Sequence, residues 1–231
     1  MAIDIGGTKL AVGVVGPDGR VQDRRLVPTP RAVDADTLFD TLAAAIDDLG
    51  DAARQASAVG VGCGGPMTRG GETVSPLNIP AWRDFPLRKR LTEHCRLPVR
   101  IDNDAKALAR AEGWIGAAAG ARDYIAMVVS TGVGGGIVVD GRLLDGAGGN
   151  AGHVGHIIVV PDGAVCGCGA RGCVEAEASG TAIERITGRA PAAASPEVRA
   201  RTGLLVGRAI ASVANLLDLQ LAVVSGSVAL G

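Results

Sequence analysis

Aromatic side chains are almost missing from this chain: two Phe, two Trp and one Tyr, 2% of its 231 residues. Any core must therefore be filled by Val, Leu, Ile and Ala. An excess of one charge is also missing. Lys and Arg number 23 against 24 Asp and Glu, net −1, with no long basic run, which argues against a nucleic-acid partner. No apolar run approaches the ~20 residues a membrane-spanning helix needs, so no membrane partner is expected. Asp4 and Lys9 interrupt the start, so it shows no signal-peptide pattern, and a cytoplasmic location is the expectation. Hydrophobic residues at 47% and charged ones at 20% fit a globular protein long enough for one large or two small domains. Histidine and cysteine are scarce, three and five, so their positions carry information.

They cluster. Residues 149–177 read GNAGHVGHIIVVPDGAVCGCGARGCVEAE, with His153, His156, Cys166, Cys168 and Cys173. Structural zinc is held by four thiolates or imidazoles in a tetrahedron, and His156, Cys166, Cys168 and Cys173 supply that number. Glycines at 167, 169 and 172 let the backbone turn tightly enough to aim three sulfurs at one point. A disulfide is the alternative, but cytosolic cysteine clusters more often hold metal or do redox chemistry. Four protein ligands would make a closed site, in which the metal shapes a loop and does no chemistry.

In chain order, Ala2 to Ile5 reads as a strand, Gly6 and Gly7 as its turn, Leu10 to Val15 as its hairpin partner and Arg20 to Val27 as the next strand. Leu38, Leu42, Ala45, Ile46 and Leu49 fall at helical spacing, with Asp34 or Asp36 to cap the start and Gly50 to end it. A buried strand at Ala58 to Cys63, an irregular stretch to Trp82 and a helix at Leu87 to Cys95 follow. Val99 to Asp102 is the next strand, then a helix from Ala105 to Ile115. From Tyr124 the pattern repeats: Ile125 to Val129 as a strand, Ser130 to Gly136 (STGVGGG) as a turn and Ile137 to Val139 as the return strand. Ala182 to Arg185 and Val198 to Leu217 read as helices, the latter with Leu205, Ala209, Val213 and Leu216 on one face. Leu219 to Ser225 reads as a central strand, only six residues from the last one given. A sequence shortened at the C-terminus is expected. The echo predicts a duplicated α/β fold with a cleft, split at residues 1–115 and 116–231.

Two glycine turns, one per half, are suited to phosphate, because backbone N–H groups approach its oxygens without side-chain obstruction. These are Gly6-Gly7-Thr8-Lys9 and Thr131-Gly132-Val133-Gly134-Gly135-Gly136, although tight hairpins also use glycine for geometry alone. Asp4 is a hard oxygen ligand suited to Mg2+ through water, or else a strand-end carboxylate satisfied by nearby backbone. Asp104, at a strand-to-helix junction, suits either a functional carboxylate or a helix cap.

The motifs GxAGHxGH and CGCGxxGCxE resemble the signature of the ROK family, which joins bacterial sugar kinases and sugar-responsive repressors. DIGGTK at Asp4 to Lys9, NDA at Asn103 to Ala105 and STGVGGG fit the same family in the same order. The resemblance implies two ribonuclease H-like domains of the actin-like ATPase type flanking an active-site cleft. It also implies phosphorylation of a hexose 6-hydroxyl by ATP with Mg2+, in a cytoplasmic homodimer. Asp104 becomes the general base, and Gly65, Asn78, Asn103, Asp104, His153, His156 and Glu175 surround the sugar. Asp4, Gly6, Gly7, Thr8, Lys9, Thr131, Gly132, Gly134 and Gly226 hold ATP and Mg2+. A zinc ion on His156, Cys166, Cys168 and Cys173 would present His156 and Glu175 to the sugar in fixed geometry.

Three departures shape the expected substrate. Many glucokinases of the family carry glutamate where this chain has His153, and the AGHxGH form resembles N-acetylmannosamine kinases. SPLNIPAW at Ser75 to Trp82 resembles the glucokinases. Ser225-Gly226-Ser227 replaces a glycine-rich run expected near adenosine. A glucokinase-like enzyme is the leading expectation and an N-acetylhexosamine kinase the alternative. Outside the enzymes stand a non-catalytic sugar-binding protein and a repressor, the latter disfavoured because only three residues precede Asp4.

Overall fold

The computed structural model describes residues 1–230, in two compact units, Met1–Ala107 and Leu108–Gly231. In the first, β1 (Ala2–Ile5), β2 (Lys9–Val15) and β3 (Val21–Pro28) form an antiparallel meander. β4 (Val59–Cys63) and β5 (Val99–Asn103) add in parallel beyond β1, giving the order β3-β2-β1-β4-β5. Period-two burial drives the assembly: Ile3 and Ile5, Val59, Val61 and Cys63, then Val99 and Ile101 all face inward. Helix α1 (Ala35–Asp47) covers that face with Leu38, Phe39, Leu42, Ala45 and Ile46. Leu38 and Leu42 are fully buried, each contributing roughly 1.5–3 kcal/mol.

Asp34 caps α1, accepting the Thr37 amide at 2.8 Å, as the sequence predicts. Gly50 lies beyond the end of α1 and precedes a single-turn helix, α2 (Asp51–Arg54). Helix α3 (Leu87–Cys95) has the expected bounds. The scarce aromatics concentrate here. Trp82 is buried, stacks on Phe85 at 4.7 Å and donates its indole N–H to the Ala35 carbonyl at 3.1 Å, so its polar edge is satisfied.

Helix α4 (Asp104–Ile115) starts in the first unit and ends in the second, where β6 (Tyr124–Val129), β7 (Val133–Val139) and β8 (Arg142–Leu143) form a second antiparallel meander. The helices α5 (Val174–Ala178), α6 (Gly180–Thr187) and α7 (Pro196–Leu217) follow, and β9 (Leu221–Ser225) returns parallel to β6. The order β8-β7-β6-β9 repeats the first sheet up to its fourth strand. Both sheets thus have the ribonuclease H-like arrangement that the resemblance implies.

Three expectations are corrected. The second glycine turn is only Ser130 to Gly132. Val133 to Gly136 belong to β7, paired with Ala126 to Val129. A methyl at Gly135 would meet Val154 Cγ2 at 2.7 Å and the Ala126 carbonyl at 2.9 Å, so close packing, and not a turn, uses that glycine. Strand β9 pairs only with β6 and is an edge of its sheet among the described residues, where a central strand was expected. Leu216 is 81% exposed, although Leu205, Ala209 and Val213 on the same periodicity are buried.

Candidate functional site

The parallel register of the first sheet brings Ile5, Cys63 and Asn103 side by side, because Ile5 pairs with Cys63 and Cys63 with Asn103. Everything just past these strand ends gathers at one edge, where open α/β sheets bind ligands. Asp4, Gly7, Gly65, Asn78, Asn103 and Asp104 all lie at that edge.

The contacts are close. A methyl at Gly7 would stand 2.8 Å from Asn78 Cβ and 2.9 Å from its carbonyl oxygen, so glycine is required for Asn78 to sit over the turn. One at Gly62 would reach Asp104 Cα at 3.4 Å, and one at Gly65 would reach Asn103 Nδ2 at 4.0 Å. Asp104 is the first residue of α4. Its Oδ1 accepts its neighbour's amide, that of Ala105, at 2.8 Å, and the cap is shared with Asn103 Oδ1, which accepts the same amide at 3.0 Å. Its carboxyl group is exposed.

Asp4 keeps solvent access, yet partial desolvation of its carboxyl raises its pKa, and the negative charge of Asp104 raises it further. Burial, with Asp104 and Asp4 added, pushes the Cys63 thiol up to about 12, so Cys63 is an inert core residue. The first turn closes through Gly6 N–H donating to the Lys9 carbonyl at 3.0 Å. Buried Thr29 ties it down, donating its hydroxyl to the Gly6 carbonyl at 2.6 Å and its amide to the Thr8 carbonyl at 3.0 Å.

In the second unit the shorter turn is fastened on several sides. The N-terminus of α6 reaches it, with Gly180 N–H donating to the Ser130 carbonyl at 2.7 Å and the Thr181 hydroxyl to the Thr131 carbonyl at 2.9 Å. Glu175 Oε2 accepts the Val133 amide at 3.0 Å. On the β9 side, Ser227 and Ser130 hydroxyls meet at 2.9 Å, and Val228 N–H donates to the Val129 carbonyl at 3.0 Å. Gly226, at φ +104°, has its Cβ position 2.4 Å from the Val129 oxygen, so no other residue fits. Beside it lies a cavity of about 330 Å³, walled by Val129, Ile183, Pro191, Thr202, Val206 and Val228. Thr131, Gly132 and Gly226 therefore border one region, whereas Gly134 lies within β7 opposite Val128.

The cysteine loop brings its four expected ligands together. The ligand atoms of His156, Cys166, Cys168 and Cys173 lie within 4.8 Å of one another. Sγ of Cys168 is 3.7 Å from Sγ of Cys173, and Sγ of Cys166 is 3.6 Å from Nδ1 of His156. Tetrahedral zinc with bonds near 2.3 Å places its ligands about 3.7 Å apart, so the donor set and its spacing fit zinc. The five cysteines are free thiols, and none forms a disulfide. Tight backbone makes this possible. Gly172, at φ +72°, passes so close to the Val160 carbonyl that a methyl would stand 1.6 Å from its oxygen. His153 lies three residues before His156, its ring 6.1 Å from that of His156 and edge-on to it.

Comparison with known proteins places these motifs. The ROK family model matches residues 1–230. The chain belongs to the ROK family. The N-acetylmannosamine kinase of Escherichia fergusonii is 40% identical, with all of this chain and 83% of the relative covered. The solved ROK hexokinase of Thermus thermophilus matches with a TM-score of 0.87 at 36% identity, over 99% of this chain and 82% of that one. A ROK glucokinase from Streptomyces griseus, solved with glucose and AMPPNP, matches with a TM-score of 0.81 at 33% identity, over 98% and 82%. The fold is thus that of the ROK sugar kinases, two actin-like ATPase domains. No helix among the described residues is long and apolar enough to cross a membrane.

Sequence motifs missed several contributors. Lys106 is buried and pairs with Asp102 at 2.9 Å, and Asp102 also accepts the Asn103 amide at 2.9 Å, so an ion pair underlies the NDA corner. The cavity wall from α6 and α7 carries no motif. Nor do Glu177, Arg201 and Arg208, which surround the cysteine loop.

Proposed function

We propose that this carbohydrate kinase transfers the γ-phosphoryl group of ATP to the 6-hydroxyl of a hexose or its N-acetylated relative. The observation that carries this reading is the gathering of Asp104, Asn103, Asn78 and Asp4 at the carboxyl edge of the first sheet, beside a glycine turn. Phosphoryl transfer needs little covalent chemistry from the protein; it needs positioning and stabilisation of negative charge.

In this reading Asp104 accepts the proton of the 6-hydroxyl as that oxygen bonds to the γ-phosphorus. The bond from phosphorus to the bridging oxygen breaks, ADP departs, and the proton later passes from Asp104 to water. Asn78, Asn103, His153, His156 and Glu175 hold sugar hydroxyls, with Gly65 leaving room on the approaching loop. The turns at Gly6 to Lys9 and Thr131 to Gly132 offer backbone N–H groups to phosphate oxygens. Asp4 is the carboxylate that would hold Mg2+ bound with ATP, and that ion would offset phosphate charge. Gly226 and the adjoining cavity receive the nucleoside end. His156, Cys166, Cys168 and Cys173 would hold zinc, which would shape the loop that carries His156 and leads to Glu175 and would supply no chemistry to the reaction.

Which sugar is the finer question. His153 and the 40% identity to an N-acetylmannosamine kinase favour N-acetylmannosamine over glucose. A coupled ADP-release assay over hexoses and N-acetylhexosamines tests the function. Turnover with N-acetylmannosamine or glucose is the expected result. No ADP release with any sugar, from folded zinc-loaded protein, would leave a sugar-binding protein without catalysis.

A further inference from the structure

The cysteine loop is braced from outside by three charged side chains that the proposed reaction does not use. Glu177 on α5 is 5% exposed. Its Oε1 accepts the Ala164 amide at 2.6 Å, two residues before Cys166. Its Oε2 pairs with Arg201 Nη2 at 2.5 Å, and Arg201 Nη1 donates to the Glu177 carbonyl at 2.8 Å. Seven residues along α7, two helical turns and therefore the same face, Arg208 donates to the Val159 carbonyl at 3.3 Å. Val159 in turn gives its own amide to the Gly172 carbonyl at 2.8 Å, one residue before Cys173.

Both segments entering the ligand cluster are thus tied to α7, one through Glu177 and the other directly. The first tie holds the segment that leads into Cys166, and the second the segment that pairs alongside Cys173. Glu177 also leaves no slack at the loop, since a methyl at Gly163 would stand 2.3 Å from its Oε1. Removing Arg201 would leave a buried carboxylate without its counter-charge, which such sites tolerate poorly.

We infer that Glu177, Arg201 and Arg208 are positioning residues for the metal site, through which α7 sets the loop geometry that gathers His156, Cys166, Cys168 and Cys173. The inference rests on the zinc reading of that cluster. Groups that orient metal ligands from outside typically govern 10–100-fold of metal affinity.

The test is zinc affinity of the full chain, measured by competition with a chromogenic chelator. Wild type is compared with Glu177→Gln, Arg201→Met and Arg208→Met, and the melting temperature of each is recorded in metal-stripped form. Glu177→Gln and Arg201→Met are expected to weaken zinc binding roughly 10–100-fold, and Arg208→Met about threefold. A purely structural brace would instead lower the metal-stripped melting temperature and leave zinc affinity within about twofold of wild type, which overturns the inference. If the first two variants do not fold, Arg201→Lys and Arg208→Met decide it, and unchanged affinity in both overturns it. A wild-type chain that takes up no zinc overturns the zinc reading and this inference together. Wild-type uptake with unaffected variants overturns the brace alone.

Discussion

The two glycine turns occupy equivalent places, each joining the first two strands of its sheet, yet they are held in different ways. The first, Gly6 to Lys9, is anchored by one buried threonine, and its close neighbour is the Asn78 backbone and side chain. The second, Ser130 to Gly132, is anchored by α6, Glu175 and the residues after β9. The first therefore sits among carboxylates and amides that suit a sugar and its proton. The second sits among backbone ties, next to a cavity and joined to the end of the cysteine loop through Glu175. In the function proposed above, one topology, used twice, would divide the work between acceptor chemistry and nucleotide grip.

The largest expected effect breaks the first half of that comparison. Asp104→Asn should lower turnover by roughly 10²–10⁴-fold, the range general-base catalysis supplies, while sugar affinity changes little. Steady-state kinetics with calorimetric sugar binding checks it. Near-normal turnover would make Asp104 a helix-start residue only.

The turns themselves can be set against each other. An added methyl at Gly7 meets the Asn78 backbone, which cannot move cheaply. At Gly132 it meets Glu175 Oε2 at 2.8 Å, the tip of a side chain that can shift by a few tenths of an ångström and still accept the Val133 amide. Gly7→Ala should therefore cost about 1–3 kcal/mol in folding stability and Gly132→Ala less than about 1 kcal/mol. Denaturant melts of the two variants give the comparison, and equal costs would mean the turns are equally constrained.

Much of this was readable from residue types. Asp34 caps α1 because a side-chain oxygen there meets an orphan amide, and the period of Leu38, Leu42 and Ile46 fixes the buried face. The four candidate metal ligands follow from donor chemistry alone, and the structure gathers them. What failed had tertiary causes. Gly134 to Gly136 look like a turn, but they form a strand because Val154 and the β6 backbone crowd Gly135. Leu216 follows the helical period of α7 yet lies exposed near the end of the helix. The ion pairs of Glu177 with Arg201 and Asp102 with Lys106 each join one buried charge to a less buried partner, a pairing only the folded chain displays.

A smaller effect sharpens the sugar side. Glutamate offers two anionic acceptor oxygens, whereas neutral imidazole offers one donor and one acceptor. His153→Glu should shift the ratio of kcat/KM toward glucose over N-acetylmannosamine by about 1 kcal/mol, roughly fivefold. An unchanged ratio would mean that His153 only packs beside the loop.

The smallest concerns Asp4. Its folded-state pKa is raised, first by partial desolvation and then by Asp104, so its ionised form opposes folding. That cost is present above the folded-state pKa and disappears as pH falls through it. Asp4→Asn should therefore raise the melting temperature slightly at neutral pH, by about 1–3 °C, with the gain fading in acid, while impairing Mg2+-dependent turnover. A variant that is no more stable at pH 7 than at pH 4, relative to wild type, would remove the electrostatic argument.

The central claim is phosphoryl transfer to a sugar hydroxyl at position 6, and phosphorus NMR of the product tests it most directly. Incubation of the zinc-loaded chain with Mg2+, ATP and N-acetylmannosamine or glucose should give a sugar 6-phosphate, its phosphorus coupled to the two C6 protons, in step with ADP. A phosphate on the anomeric carbon, or inorganic phosphate as the sole product, would contradict the account.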